Sequence, residues 1–276
     1  MSESFEIVDA FMRYPQEPYL YRILTESSVF KYLVSPSAPP GACFPDIRGE
    51  FLAFTSVSRG DWTIGRLGPT GDGRLSLSST ENTRLTDVCT PWHASRIDLL
   101  DLPSRLSGVD TLDELQCHGQ LTARVVTTPS RYGQCPTAIC FWIWQPHFRY
   151  GLYADSKMYA AIEGHGIAPK FLAHITENRS RVIGHMLERL KVRLATIHDM
   201  GKCQAVLARL HGLGITHGGL SRHSFLIDDE RRCAYLHGFV NSYHTTDNGV
   251  LQAELNSLGR ILPRKPDPLT VGQEKL

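Results

Sequence analysis

A long amphipathic helix in the C-terminal half constrains the fold more than any other feature of this sequence. Over residues 199–213, apolar side chains recur at steps of three and four, and Gly214 follows as a stop signal. The members of this stripe are Met200, Cys203, Val206, Leu207, Leu210 and Leu213. Such a stripe belongs to a helix that packs one face on a core. Residues 250–262 repeat the pattern, so the sequence predicts two core helices in this half.

Strand-like runs dominate the chain before this helix. They lie at residues 51–55, 62–67, 121–126 and 137–144, the last of which (TAICFWIW) is a dense apolar run typical of a buried strand. Residues 155–163 predict a short helix, residues 167–174 and 181–187 follow it, and 188–190 form a connector. The run 65–73 contains four glycines but lacks a phosphate-loop spacing, so it predicts a hairpin turn. This order of elements predicts an α+β fold.

Composition excludes several classes of protein. Hydrophobic residues make up 42% of the chain and charged residues 21%, which is typical of a folded globular protein. A net charge of +1 without a basic block argues against a nucleic-acid partner, and no apolar run is long enough to predict a membrane partner. Seven scattered cysteines without a CxxC pair, behind an acidic N-terminus, predict a cytoplasmic protein with reduced thiols. No histidine or cysteine spacing predicts a metal site, and we expect no cofactor.

Residues 214–227 (GITHGGLSRHSFLI) carry the most specific signal in the chain. The segment closely resembles the catalytic loop of fungal kinase-like proteins related to aminoglycoside phosphotransferases, which runs G-I-x-H-G-D-x-N-R-x-N-F-L-I. Residues 159–174 and 181–188 resemble the same family's passage into its hinge. The resemblance implies a two-lobed protein-kinase-like fold. Its parts would be an N-terminal extension over 1–40, a strand-rich lobe over 41–188 and a short, mostly helical lobe over 189–276.

The same resemblance implies that each charged or metal-binding position of the family has changed. The catalytic aspartate falls on Gly219, the metal-binding asparagine on Ser224 and the metal-binding aspartate on Gly238. The strand lysine that holds the nucleotide phosphates falls on Phe141, and the glutamate that pairs with it falls on Asp155. Phosphoryl transfer depends on metal ions and cations that neutralise phosphate oxygens. We therefore expect a degenerate, pseudokinase-like member without phosphotransfer activity.

A shift of alignment does not restore the phosphate clamp, because no lysine lies between Lys31 and Lys157. The resemblance implies that the former nucleotide cleft is lined by a set of candidate residues. The ligand-binding candidates are Phe141, Met186, Ser221, Arg222 and Ser224, and the acid–base candidates are His237, Asp155 and His217. A neutral imidazole at His237 can act as an acid or a base near pH 7, or it can be purely structural. His217 and Arg222 have the alternative role of bracing the loop.

Two functional hypotheses follow. The first is a binding or regulatory pseudokinase whose cleft holds a small apolar metabolite or a protein partner, with a role in fungal secondary metabolism. The alternative is a cofactor-free enzyme of the cyclase, isomerase or lyase type, acting on a polyketide-like or terpenoid-like substrate in the former ATP cleft. The sequence leaves the ligand and the oligomeric state open.

Overall fold

The computed structural model describes residues 1–11, 18–35, 49–102, 122–127, 137–145 and 150–263. The chain divides into two compact units, Met1–Thr86 and Asp87–Leu276. The predicted boundary at 40/41 lies outside the described residues, and the boundary at 188/189 stays a prediction. Within the described ranges, no helix combines the length and the apolarity that crossing a bilayer requires.

The first unit is built on a six-stranded sheet with the order β4-β1-β2-β3-β5-β6. Neighbouring strands are antiparallel except β3 and β5, which are parallel. Three of its strands come from the segment predicted as an N-terminal extension. The strands are β1 (Ser2–Phe11), β2 (Tyr19–Thr25), β3 (Phe30–Ser35), β4 (Ser56–Ser58), β5 (Ile64–Pro69) and β6 (Leu75–Glu81).

The glycine-rich run of this unit forms the predicted hairpin. Strand β5 ends at Pro69, a turn follows, and β6 pairs back with it. Gly73 has a φ of +79°, a left-handed conformation that glycine adopts without steric cost. The strand predicted over 51–55 is wrong: only a single bridge between Leu52 and Leu75 forms there. Leu52 is buried in the core of this unit, so the run is apolar because it packs rather than because it pairs.

A five-stranded sheet with the order β7-β10-β11-β9-β8 opens the second unit. All its neighbours are antiparallel except β7 and β10. Helix α1 (Tyr150–Ile162) lies between β9 and β10 in the chain and begins five residues before the predicted start at Asp155. The strands are β7 (Arg96–Asp98), β8 (Thr122–Thr127), β9 (Thr137–Trp142), β10 (Phe171–Glu177) and β11 (Arg181–Glu188).

The rest of the second unit contains the two core helices predicted from the sequence. Helix α2 (Met200–Gly212) buries Cys203, Val206, Leu207 and Leu210, which confirms the apolar stripe. Helix α3 (Asn248–Ile261) begins after Asp247, whose side chain accepts hydrogen bonds from the next turn. Short strands accompany them as a three-stranded sheet β12-β14-β15 and a pair β13-β16. Their bounds are β12 (Arg193–Leu194), β13 (Ile215–Thr216), β14 (Phe225–Asp228), β15 (Cys233–Leu236) and β16 (Tyr243–His244).

The protein is therefore a mixed α/β chain rich in strands. The mostly helical character predicted for 189–276 needs correction for the part that the structure describes, up to residue 263. There one short strand precedes α2 and four lie between α2 and α3, because β12 pairs with β14, β14 with β15 and β13 with β16. A single core links α1, α2, the start of β10 and the β14–β15 hairpin.

Candidate functional site

The segment that resembles a catalytic loop occupies the turn after α2. It passes through β13, continues in a loop over residues 218–223 in which all but Leu220 are exposed, and ends in buried β14. Gly214 and Gly218 both have a positive φ. A Cβ on Gly218 would lie 2.2 Å from the carbonyl oxygen of Asn241, so the close approach of two backbones requires glycine there.

Glu254 of α3 holds the start of this loop. Its carboxylate accepts hydrogen bonds from the backbone amides of His217 (3.0 Å) and Gly218 (2.7 Å) and lies 2.8 Å from Nε2 of His211. Burial alone would raise the pKa of Glu254, but the hydrogen bonds from His211, His217 and Gly218 outweigh it and lower the pKa. The carboxylate is thus ionised at neutral pH and anchors the loop to α3. The sequence reasoning missed this residue.

His217 is buried and contacts the loop that follows β15. Its Nε2 donates to the backbone oxygen of His237 at 3.0 Å, and its ring lies 5.5 Å from that of Phe239. Burial lowers the pKa of His217, so the ring is neutral at pH 7. These contacts join the two loops, and the role of His217 in bracing or in acid–base chemistry stays a prediction.

His237 and the two serines form a small hydrogen-bonded group. The Ser221 amide donates to Oγ of Ser224 at 3.0 Å, and the His237 amide donates to the Ser224 carbonyl at 3.2 Å. Nε2 of His237 donates to the backbone oxygen of His223. Burial lowers the pKa of His237 to about 4, which keeps the imidazole neutral at pH 7. Nε2 of His237 is therefore already hydrogen-bonded to the loop that contains His223.

The two glycines that the resemblance aligns with acidic positions differ in their surroundings. Gly238 has a φ of +79°, and a Cβ added there would meet nothing within 4 Å. A Cβ on Gly219 would lie 2.8 Å from Nδ2 of Asn241. Neither residue offers a side-chain oxygen to a cation. Throughout the part of the chain that the structure describes, no three His, Cys, Asp or Glu side chains are placed to share a metal ion.

Asp155 of α1 contacts the backbone beside Gly238. Its Oδ1 accepts a hydrogen bond from the Phe239 amide at 2.8 Å, and its Oδ2 lies 3.5 Å from Nε2 of His185. Burial raises the pKa of Asp155 to about 6, against the opposing effect of the Phe239 hydrogen bond. Burial also lowers the pKa of His185 to about 3. The pair is therefore a carboxylate beside a neutral imidazole at pH 7, rather than an ion pair.

The remaining candidates are distributed over both faces of the sheet and the surface. Phe141 lies opposite His185 in the β9–β11 register, with ring centroids 5.7 Å apart. Met186 lies opposite Cys140 and is fully buried in a separate core. Arg222 is exposed, and its Nε donates to Nε2 of His223 at 2.9 Å. The structure thus brings Phe141 to the Asp155 side of the sheet through His185 and leaves Met186 in the other core.

Two cavities of the second unit lie apart from the predicted site, and none of the eight candidate residues lines either. The smaller, of about 260 Å³, is lined by Thr90, Trp92, Tyr153, Lys157 and Ala160. The larger, of about 440 Å³, lies between the end of α1, the start of β10 and the β14–β15 hairpin. His185, like Glu254, was missed from the sequence, because only the sheet register and the position of α1 place its ring beside Asp155.

Comparisons with known proteins give a limited result. No protein-family model matches the chain, and no curated protein matches it. The chain is similar to a medium-resolution structure of the bifunctional kinase-methyltransferase WbdD, with 21% identity and a TM-score of 0.34 over 44% of this chain and 32% of that one. It is also similar to a crystal structure of monomeric WbdD, with 20% identity and a TM-score of 0.36 over 49% and 37% of the two chains. The chain spans about a third of the length of these proteins.

Proposed function

We propose that this chain is a kinase-fold protein without phosphotransfer activity, whose former nucleotide cleft binds a small apolar metabolite or a protein partner. The observation that carries the proposal is the engagement of Asp155. In the resembling family this position pairs with a lysine, whereas here its carboxylate accepts the Phe239 amide at 2.8 Å and faces a neutral histidine. In the family, the carboxylate at this position would pair with the phosphate-binding lysine. Here the Asp155 carboxylate links α1 to the loop after β15 instead.

The order of elements supports the same proposal. Strand β9 with Phe141 is followed by α1 with Asp155, and both β10 and β11 then pair in the same sheet. This is the arrangement in which the family's lysine strand precedes its glutamate helix. Phe141 occupies the lysine position, so the strand presents a ring and no cation.

The charges of the site also argue against a nucleotide. Phosphate oxygens need metal ions or cations to neutralise them. Gly219 and Gly238 supply no oxygen for a metal, and the Asp155 carboxylate would repel an anionic ligand. The rings of Phe141 and Tyr159 lie 5.7 Å from the His185 ring, and Phe239 contacts Tyr159 edge-on. Aromatic surroundings of this kind suit an apolar ligand. A cytoplasmic role in fungal secondary metabolism is part of the proposal and rests on the family resemblance alone.

Thermal unfolding with ATP and magnesium tests the proposal. A nucleotide present at 100 times its Kd would stabilise the folded state by about 2.7 kcal/mol, which raises the Tm by about 5 °C or more. We expect no magnesium-dependent rise in the wild-type chain. A combined variant, Phe141→Lys with Gly219→Asp, Ser224→Asn and Gly238→Asp, provides the comparison. A metal-dependent rise in the wild type would refute the proposal.

One observation favours the enzyme alternative as a second candidate. A buried carboxyl whose pKa lies at about 6, as at Asp155, can exchange a proton near neutral pH, as general acids and bases do. Deleting the protein in its host separates the two candidates. Accumulation of one uncyclised or unrearranged precursor supports the enzyme, whereas altered amounts of an unchanged product support a binding role.

A further inference from the structure

The larger cavity of the second unit has the dimensions and lining of a small-molecule site. Its volume of about 440 Å³ lies within the range of about 300–1,000 Å³ that small-molecule sites occupy. Tyr159, Ile162 and Phe171 line it, and all three are buried side chains of the main core. Tyr235 adds a third ring at the opposite side. These side chains give the cavity an apolar, aromatic part beside its charged residues.

The polar lining of this cavity contains a poorly satisfied carboxylate. Glu188, at the end of β11, is only 14% exposed, so water reaches little of it. Among the described residues, Arg231 Nη2 is the one cationic donor near its side chain, at 3.5 Å, which is longer than an ordinary hydrogen bond. Arg231 is itself 54% exposed and shared with Asp228 at 3.4 Å. A largely buried carboxylate without a close donor is costly unless a further donor approaches it.

Helix α1 adds partial negative charge at the cavity. It ends at Ile162, so its carbonyl end, which carries partial negative charge, is directed toward this region. The other charged groups of the lining are the Glu163 carboxylate, which is 54% exposed and lies 3.8 Å from Nε2 of His93, and the exposed ammonium group of Lys170. These two groups are solvated and opposite in sign, so they contribute little to selectivity.

We propose that this cavity binds an organic ammonium cation with an apolar body. The ammonium group donates to the Glu188 carboxylate, and the apolar body packs on Phe171 and Tyr159. Aromatic side chains beside a carboxylate favour such cations through the ring quadrupole. Gly164 and Gly166, both with positive φ, line the cavity without side chains and leave it open to a ligand. None of the candidate residues of the kinase-like loop lines this site, so it does not depend on the function proposed above.

Three probes that share a phenyl ring test the charge preference on the full chain. They are phenethylammonium, 2-phenylethanol and 3-phenylpropanoate, with binding followed by calorimetry and by methyl NMR. We expect phenethylammonium to bind most tightly and to shift the methyl signals of Ile162 and Ala168. Tightest binding of 3-phenylpropanoate, equal binding of all three probes, or the absence of shifts at both residues would each overturn the proposal.

Glu188→Gln tests the contact itself. This isosteric change should weaken phenethylammonium binding by about tenfold or more, because a hydrogen bond to a charged group is lost, and leave 2-phenylethanol unaffected. Glu81→Gln is the matched control, since it removes the same charge from the first unit and should change nothing. Equal affinity of wild type and Glu188→Gln for phenethylammonium contradicts the proposal. The NMR shifts in the wild type test it even if the variant does not fold.

Discussion

Replacing Glu254 by glutamine should loosen the loop that resembles a catalytic loop. The wild-type carboxylate accepts from two backbone amides, of His217 and Gly218, and lies 2.8 Å from the ring nitrogen of His211. A hydrogen bond to a charged acceptor is worth about 1 kcal/mol more than one to a neutral acceptor. Three such contacts sum to about 3 kcal/mol, and because Gly218 is exposed to water the expected loss is about 2 kcal/mol.

Urea unfolding measures this loss, with two transitions fitted because the chain has two compact units. The control is Glu230→Gln, which removes an exposed carboxylate paired with Lys191 and should cost less than about 0.5 kcal/mol. The pKa of Glu254 is lowered in the folded state, so its stabilisation is present above the unfolded pKa and is lost as pH falls through the folded pKa. The difference between wild type and Glu254→Gln should therefore shrink below about pH 4. A pH-independent difference, or one below about 0.5 kcal/mol at pH 7, would refute the reasoning.

Three further predictions concern other parts of the second unit. Asp155→Asn should flatten the pH dependence of stability between pH 4 and 7. Because the pKa of Asp155 is about 6 in the folded state, its protonated carboxyl stabilises the fold by about 2–3 kcal/mol at low pH, and this stabilisation is lost as pH rises through 6. If the free energy of unfolding of Asp155→Asn depends on pH as steeply as that of the wild type, the prediction is wrong. Asp199→Asn should lower the free energy of unfolding by about 1–2 kcal/mol at pH 7. Burial opposes ionisation of Asp199, but the Arg193 guanidinium at 2.8 Å lowers the pKa of this carboxyl to about 2. This loss of stability should disappear as the pH falls from 4 to 2, and a loss that does not change with pH would contradict the role given to the Asp199–Arg193 pair. Gly184→Ala should destabilise by about 1–3 kcal/mol or more in thermal unfolding, because its Cβ would lie 2.0 Å from the Phe141 carbonyl oxygen; Gly259→Ala, with nothing within 4 Å, should not destabilise and serves as the control.

Local sequence patterns predicted several of the longer elements of the second unit and none of its shortest strands. Helix α2 follows from its apolar stripe and Gly214, and β9 follows from the dense apolar run 137–144. No strand was predicted for residues 1–40, yet β1, β2 and β3 form half of a six-stranded sheet. β1 pairs with β4, where Ser2 lies opposite Ser58, and β3 pairs with β5, where Tyr32 lies opposite Ile64. Such non-local pairing is decided by tertiary contacts rather than by local propensity.

In the candidate site, too, some features follow from the sequence and others depend on tertiary contacts. Phe141 and Met186 were both assigned to one cleft, but register places them on opposite faces of the sheet, because side chains alternate along a strand. Glu254 and His185 had no signal in their spacing. Each acquires its role from a residue in a distant element, as Glu254 does from His217.

The sequence by itself determined which chemical groups the loop can present. Glycine at 219 and 238 excludes side-chain oxygens there in any fold, since covalent structure decides that. Only the tertiary structure decided what Asp155 does. Asp155 accepts a hydrogen bond from the Phe239 amide, which is 84 residues away in the chain, and packing of α1 against the loop after β15 brings the two residues together. The resulting burial, rather than any neighbouring residue in the sequence, raises the pKa of this carboxyl.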